Sequence, residues 1–183
     1  MLRIISGQWR HRLLKMPPSS LTRPSTSRMR EALFNILVHT YEIDFQGLIV
    51  ADLYAGSGAL GLEALSRGAA KTYFIDNHPA ALAVIATNIQ TLQAENKAHV
   101  LKAKIPPLPA PPEALDLIFL DPPYFQNLVA PTCKELYHQG WLHENTLVCI
   151  ETSIQDKVEV LSGLQMDQHR TYGQSVISFW RPL

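Results

Sequence analysis

With 183 residues, 46% of them hydrophobic and 17% charged, the chain has enough apolar content for one compact domain and is not of disordered composition. No apolar run reaches the roughly 20 residues that cross a bilayer, and Met1–Gly7 lacks the apolar stretch of a secretory signal. Cys133 and Cys149 are too few and too isolated for a disulfide framework or a metal site, so a reduced, cytoplasmic protein without membrane or metal is expected.

The net charge is zero but unevenly spread. Residues 1–31 hold Arg3, Arg10, Arg12, Lys15, Arg23, Arg28 and Arg30 against Glu31 alone, so +6 there is balanced by −6 over the rest. Residues 1–20 read as an arm or short hairpin, with Leu2, Ile4 and Ile5, then Leu13, Leu14 and Met16, closed by Pro17-Pro18-Ser19-Ser20. Trp9 interleaves with the bases, a composition that suits a phosphate backbone. A helix is expected to begin near Ser25 or Thr26, with Pro24 just outside it. Met29, Ala32, Leu33, Ile36 and Leu37 recur there at helical spacing.

From about residue 48, strands and helices alternate, the pattern of an open parallel sheet. Leu48–Leu53 reads as the first strand, Leu60–Ser66 as a helix ended by Gly68, and Thr72–Asp76 as the second strand. A helix follows from Pro79 to about Gln93, with Leu82, Ile85, Ile89 and Leu92 as its apolar stripe. Ala98–Leu101 and Leu115–Leu120 read as the third and fourth strands. Leu128–Gln139 suits a helix, Thr146–Glu151 a fifth strand, and the alternation of Val176, Ser178 and Trp180 with Ile177, Phe179 and Arg181 a last strand. Between the third and fourth strands stand Pro106, Pro107, Pro109, Pro111 and Pro112, five of the thirteen prolines. Proline removes backbone donors and clashes inside helices, so this connection should be an extended loop instead of a crossover helix.

Two stretches carry chemistry. In Asp52-Leu53-Tyr54-Ala55-Gly56-Ser57-Gly58-Ala59-Leu60-Gly61, Gly56 and Gly58 permit a tight turn and close approach of a ligand to the backbone, ahead of a helix whose first N–H groups are free. A dinucleotide-binding turn is similar, but Tyr54 is bulky where its first glycine would stand. An acid at the strand end suits a cationic ligand, such as the sulfonium amino acid of S-adenosylmethionine. Asp76, followed by Asn77, ends the second strand, where an acid can accept ribose hydroxyl protons. The lone loop histidine after them, His78, suits the surface better than catalysis. Asp121-Pro122-Pro123-Tyr124 follows the apolar fourth strand, at the carboxyl end of the sheet where ligands bind. The lone pair of an exocyclic base amine is delocalised into the ring. Two acceptors, the Asp121 carboxylate and the Pro122 carbonyl, could bind its protons and localise that pair, with the prolines holding the backbone extended. Tyr124 offers a stacking face worth roughly 1–3 kcal/mol. There is no Pro-Cys nucleophile for carbon methylation, no metal spacing and no Walker loop.

Arg3-Ile4-Ile5-Ser6-Gly7-Gln8-Trp9-Arg10, then Arg23-Pro24-Ser25-Thr26, Arg28, Arg30-Glu31, Leu33-Phe34-Asn35 and Leu37 resemble the N-terminal signature of the RsmD family. The resemblance runs on through Asp52–Gly61, Leu62–Ala69, the Asp-Pro-Pro-Tyr turn, Gly140-Trp141-Leu142 and Glu151. It implies an α/β, Rossmann-like S-adenosylmethionine-dependent methyltransferase fold, a seven-stranded, mostly parallel sheet with an antiparallel last strand. The chain would be a single domain over 1–183, with a basic N-terminal extension and helix in 1–40 and the catalytic core in 47–183.

The implied reaction is methylation of the exocyclic N2 of a guanine in 16S rRNA, of the guanine-966 type. The implied substrate is the small ribosomal subunit, partly or fully assembled, and the enzyme a monomer. Cofactor contacts carry over to Asp52, Tyr54, Ala55, Gly56, Ser57, Gly58, Asp76 and Asn77, and the base site to Asp121, Pro122, Pro123 and Tyr124. RNA contacts fall to Arg3, Trp9, Arg10, Arg12, Arg23, Arg28 and Arg30. After the third strand the family carries a polar Asn or Asp and then a helix over the adenine. Here Lys102-Ala103-Lys104-Ile105 enters the prolines, leaving backbone near Ala103–Ile105 as the candidate adenine contact. The competing readings are a DNA amino-methyltransferase, a glutamine methyltransferase, a non-catalytic RNA-binding assembly factor and a dehydrogenase.

Overall fold

The computed structural model describes residues 1–18, 27–156 and 161–183. Helix α1 (Ser27–His39) precedes β1 (Ile49–Leu53), α2 (Ala59–Arg67), β2 (Lys71–Asp76), α3 (Pro79–Leu92), β3 (Ala98–Lys102) and β4 (Leu117–Leu120). Helix α4 (Val129–His138), β5 (Leu147–Ser153), β6 (Leu164–Tyr172) and β7 (Ser175–Pro182) complete the chain. The expected helix start at Ser25 or Thr26 lies outside the described residues.

The seven strands form one sheet in the order β3-β2-β1-β4-β5-β7-β6. The first five in chain order are parallel, and β7 pairs antiparallel with both β5 and β6, which gives the reversed last strand. The central strands are buried on both faces and alternate with the two-residue period of a pleated sheet. Leu117 and Phe119 of β4, with Leu147 and Cys149 of β5 and Phe74 of β2, pack on α1, α2 and α3 through Phe34, Leu37, Leu65 and Ile85. Their neighbours Ile118, Leu120, Val148 and Ile150 face α4 and Trp141 on the other side.

Among the named helices only α4 covers that second face, and no crossover helix joins it there because the β3–β4 connection is an extended proline loop, as its composition requires. The loop substitutes for the missing helix by burying Ile105 and Leu108 against the sheet. It is held by Trp141, whose Nε1 donates to the Pro109 carbonyl at 2.8 Å. His78 is a helix cap: its Nδ1 accepts from the Ala80 N–H at 3.2 Å, and Pro79 opens α3.

The N-terminal segment is a hairpin packed on the core. Ile4 N–H donates to the Arg12 carbonyl and His11 N–H to the Ile4 carbonyl, both at 3.0 Å. Ile4 and Leu14 belong to the cluster around Phe34. Glu63, buried on α2, accepts from the N–H groups of Ile5 (2.7 Å) and Ser6 (3.0 Å) and from Arg67 Nε (2.8 Å). Gly7 fits against α2 so closely that a Cβ there would lie 1.8 Å from the Ser66 carbonyl oxygen. The basic segment is therefore bolted to the first helix after the glycine turn.

Candidate active site

The chain leaves β1 toward β2 on one side, while β4 pairs with β1 on the other, so the sheet has its topological switch point between β1 and β4. Leu53 lies opposite Leu120 across that pair. The glycine turn and the Asp-Pro-Pro-Tyr turn therefore emerge side by side, and the Asp121 N–H reaches back to the Leu53 carbonyl at 3.5 Å.

In the glycine turn Tyr54, Gly56 and Gly58 all take positive φ, at 59°, 56° and 75°. Tyr54 bears this left-handed geometry with a side chain because its hydroxyl is tied down. It donates to the Ile105 carbonyl at 3.0 Å and lies 2.9 Å from Thr132 Oγ1 of α4. The bulky residue at the position of a nucleotide-binding glycine is thus a strut between the turn, the proline loop and α4. Gly61 is needed for a different reason: a Cβ there would meet Phe74 Cε1 at 2.4 Å, so only glycine lets α2 approach β2.

Two acids support the turn. Asp52 is 2% exposed, and its Oδ2 accepts from the Gly61 N–H at 2.9 Å, so it clamps the first turn of α2 from beneath. Burial pushes its carboxyl up to about 8; the Gly61 hydrogen bond works against that shift, and the neighbouring Asp76 charge adds to it. Asp76 is half-buried and bonds the turn from the other strand, accepting from Gly56 N–H (2.9 Å) through Oδ2 and from His78 N–H (2.8 Å) through Oδ1. A carboxylate has acceptor capacity beyond two bonds, so these are compatible with ribose hydroxyls at the same group. Ala55 is buried and Asn77 exposed. Ser57 contributes its carbonyl, which accepts from Asn88 Nδ2 at 2.9 Å.

Asp121 is partly exposed, Pro122 buried and Pro123 exposed. The Tyr124 hydroxyl donates to Glu151 Oε1 at 2.7 Å and lies 2.7 Å from Ser175 Oγ. Burial raises the pKa of that phenol, so it serves as a donor. A pocket beside Asp121 is lined by Met29, Arg30 and Leu33 of α1 and by Phe119, Glu151 and Ile177 of the sheet.

Three site residues carry no role in the sequence reading, although Glu151 belongs to the resemblance itself. Asn88, buried on α3, also accepts from Lys15 N–H (2.8 Å) and donates to the Lys15 carbonyl (3.0 Å), joining the hairpin to the glycine turn. Glu151 enters through its contact with Tyr124. Phe125, 65% exposed at φ 63°, stands edge-on to Tyr124 with ring centroids 6.1 Å apart, a second aromatic surface next to the motif. Its position directly after Asp-Pro-Pro-Tyr was the available signal.

Among the basic candidates, Arg3, Arg10, Arg12 and Arg28 are exposed and Trp9 half-buried, while Arg23 lies outside the described residues. Arg30 departs from expectation. It is 2% exposed, and both terminal nitrogens donate to the Arg3 carbonyl at 3.2 Å. Every third or fourth residue of α1 faces the core, and position 30 falls beside Met29, Leu33 and Phe34 on that stripe. Arg30 therefore belongs to the wall of the pocket and not to the exposed basic face. Burial lowers its pKa, and the charge of Glu63 opposes that.

This strand order, a glycine turn after β1, acids closing β1 and β2, and Asp-Pro-Pro-Tyr after β4 define a Rossmann-like methyltransferase fold. The family described as Conserved hypothetical protein 95 matches residues 2–181. The chain is 39% identical over 155 residues to Ribosomal RNA small subunit methyltransferase D of Escherichia coli (strain K12), spanning 85% of this chain and 76% of that one. Among solved structures, the yhhF protein of Escherichia coli, described as a methyltransferase, superposes with a TM-score of 0.85 at 33% identity, covering 98% of this chain and 97% of that one. The HI0767 protein of Haemophilus influenzae, described as a methylase, gives 0.80 at 30% identity, covering 100% and 98%. The chain belongs to the RsmD family of methyltransferases.

Proposed function

We propose that this protein transfers a methyl group from S-adenosylmethionine to the exocyclic N2 of a guanine in 16S rRNA, of the guanine-966 type. It would act as a monomer on a partly or fully assembled small subunit. The observation that carries this reading is the juxtaposition of the two turns, with Asp121 leaving β4 beside the glycine turn that leaves β1.

The chain's residues fit the donor. The buried Asp52 sets beneath the turn a carboxyl that a bound cation would ionise, Asp76 stands where ribose hydroxyls would be accepted, and Gly58 caps α2 without a side-chain hydrogen bond, so the helix's first N–H groups are left to a ligand. When bound, the donor supplies a sulfonium methyl, whose carbon–sulfur bond breaks as the nitrogen–carbon bond forms. The Asp121 carboxylate and the Pro122 carbonyl accept the two amine protons and localise the nitrogen lone pair, and the proton released on transfer passes to Asp121. The rate gain is one of positioning and electrostatics. The base stacks on Tyr124, whose ring is fixed through its hydroxyl. Arg3, Trp9, Arg10, Arg12 and Arg28 form the RNA-facing surface, and the name of the Escherichia coli relative supports a small-subunit rRNA substrate.

Labelled methyl transfer into small subunits from a strain lacking this gene, followed by identification of the modified nucleoside, tests the reading. Label on N2 of guanine is expected, and label on another atom overturns it. Asp121→Ala should abolish transfer while leaving S-adenosylmethionine affinity within a few-fold; full turnover by that variant refutes the role of Asp121.

A further inference from the structure

The pocket beside Asp121 carries a second carboxylate in its wall. Strands β4 and β5 run parallel with Leu120 opposite Ile150, so Asp121, the first residue beyond β4, and Glu151, still within β5, stand side by side and line the same pocket. Glu151 is oriented from behind. Tyr124, from the same motif as Asp121, donates its hydroxyl to Glu151 Oε1 at 2.7 Å, and Ser175 Oγ lies 2.7 Å from that hydroxyl on β7. Amine methylation as described above needs acceptors only at Asp121 and Pro122. A carboxylate held beside them is an acceptor that the transfer chemistry itself does not use, and a chemical reason for one at this place can be sought in the substrate.

The reason lies in the edge of the base. In guanine, N1–H adjoins the 2-amino group, so the edge presents two parallel donors from neighbouring positions. In adenine and cytosine, the ring nitrogen next to the amine is unprotonated and presents a lone pair. A carboxylate is acceptor-only and can take several hydrogen bonds at once, so holding Tyr124 is compatible with receiving a base proton. Facing a ring lone pair, the same group would make no bond and would repel. We propose that Glu151 is a specificity-determining residue that accepts guanine N1–H while Asp121 takes the adjacent N2–H. This rests on the reading of the site as one that methylates a base amine. It gives the guanine preference a physical origin in this chain: two acceptors side by side read two donors side by side. Sites built to bond a substrate N–H reject analogues lacking it by up to roughly 10⁴-fold.

The test uses small subunits reconstituted on ligated rRNA in which the target guanosine is replaced by 2-aminopurine ribonucleoside. That base keeps the 2-amino group but has an unprotonated N1. The wild-type protein should show kcat/KM on 2-aminopurine lower by on the order of 10²-fold. Glu151→Gln keeps the shape and offers an amide N–H to an unprotonated N1. It should slow transfer to guanine and narrow the guanine to 2-aminopurine ratio at least roughly tenfold. Loss of O6 in the probe affects both proteins alike, so the change in ratio isolates N1. An unchanged ratio overturns the proposal whatever the drop in rate, because a residue that merely braces Tyr124 would slow both substrates equally. Should Glu151→Gln fail to fold, Glu151→Asp, with its carboxylate drawn back, is read by the same ratio. Wild-type protein that puts no label on guanine N2 overturns the parent reading and this proposal with it; label on N2 with an unmoved ratio overturns the role of Glu151 alone.

Discussion

Asp52→Asn is the substitution whose consequence can be worked furthest from the geometry. The asparagine carbonyl can still accept the Gly61 N–H now taken by Asp52 Oδ2 at 2.9 Å, so the clamp on α2 survives while the titration disappears. Burial holds the Asp52 carboxyl up at about 8 in the folded chain, against about 3.9 for an exposed aspartate. The folded state thus keeps a proton that the unfolded state releases. The stability this confers is fully present below the unfolded value, declines as pH rises above it, and is lost as pH passes through the folded value. A one-proton difference changes stability by at most about 1.4 kcal/mol per pH unit. For a domain of this size each kcal/mol moves Tm by roughly 2–4 °C. Thermal melts of the ligand-free protein between pH 5 and 7 should therefore show wild-type Tm falling against that of Asp52→Asn by about 3–6 °C per pH unit, with the slope flattening as pH nears 8. Parallel curves would show that Asp52 is ionised throughout and would refute the buried-acid account. A cationic ammonium bound near Asp52 favours the ionised form, so donor affinity should rise with pH between 6 and 7.5 in wild type and be flat in the variant.

Gly61→Ala places a methyl 2.4 Å from Phe74 Cε1 and 2.7 Å from Thr72 Cγ2, and should destabilise by about 1–3 kcal/mol, read as a lowered denaturation midpoint. Asn88→Ala removes the bonds that join Lys15 to the Ser57 carbonyl and should raise KM for both donor and RNA; an effect on only one would show that the hairpin and the turn are not coupled through it. Replacing Arg10 and Arg12 with Ala should reduce the slope of log affinity against log salt by about 1.4–1.8, the value for two lost phosphate contacts. An unchanged slope would remove those residues from the RNA surface.

Where apolar periodicity or a breaker governs local structure, the chain is readable without coordinates. The helix over Pro79–Leu92, the extended proline loop and the placement of Asp121 after a buried strand all follow from side-chain pattern and proline stereochemistry. Strand β6 escaped because it is an edge: in Leu164–Tyr172 only Leu164 is buried, so no alternation marks it. The family resemblance supplied the seventh strand, and the residues themselves did not. Arg30 was misplaced for a related reason. Charge composition assigns arginines to the surface, whereas the helical stripe set by Met29, Leu33 and Phe34 carries position 30 inward. Asn88 and Glu151 act through partners 73, 31 and 27 residues away, and such pairings have no local signature.

The burial of Arg30 changes what the N-terminal segment does. Its two terminal nitrogens hold the Arg3 carbonyl in the hairpin, its charge is partnered at longer range by Glu63, and its side chain lines the pocket of Asp121 and Glu151. Glu63 in turn fixes Ile5 and Ser6 to α2, the helix that opens from the glycine turn. Among the described residues, short contacts thus join the hairpin with its exposed Arg3, Arg10 and Arg12 to the glycine turn and to the pocket of Asp121. The same contacts fix the hairpin to α1, which walls the pocket of Asp121, and to α2, which starts at the glycine turn. The hairpin is on this account part of the frame of the proposed active site: Ile4 and Leu14 are buried and Arg30 ties its backbone to α1, while Arg3, Arg10 and Arg12 are exposed.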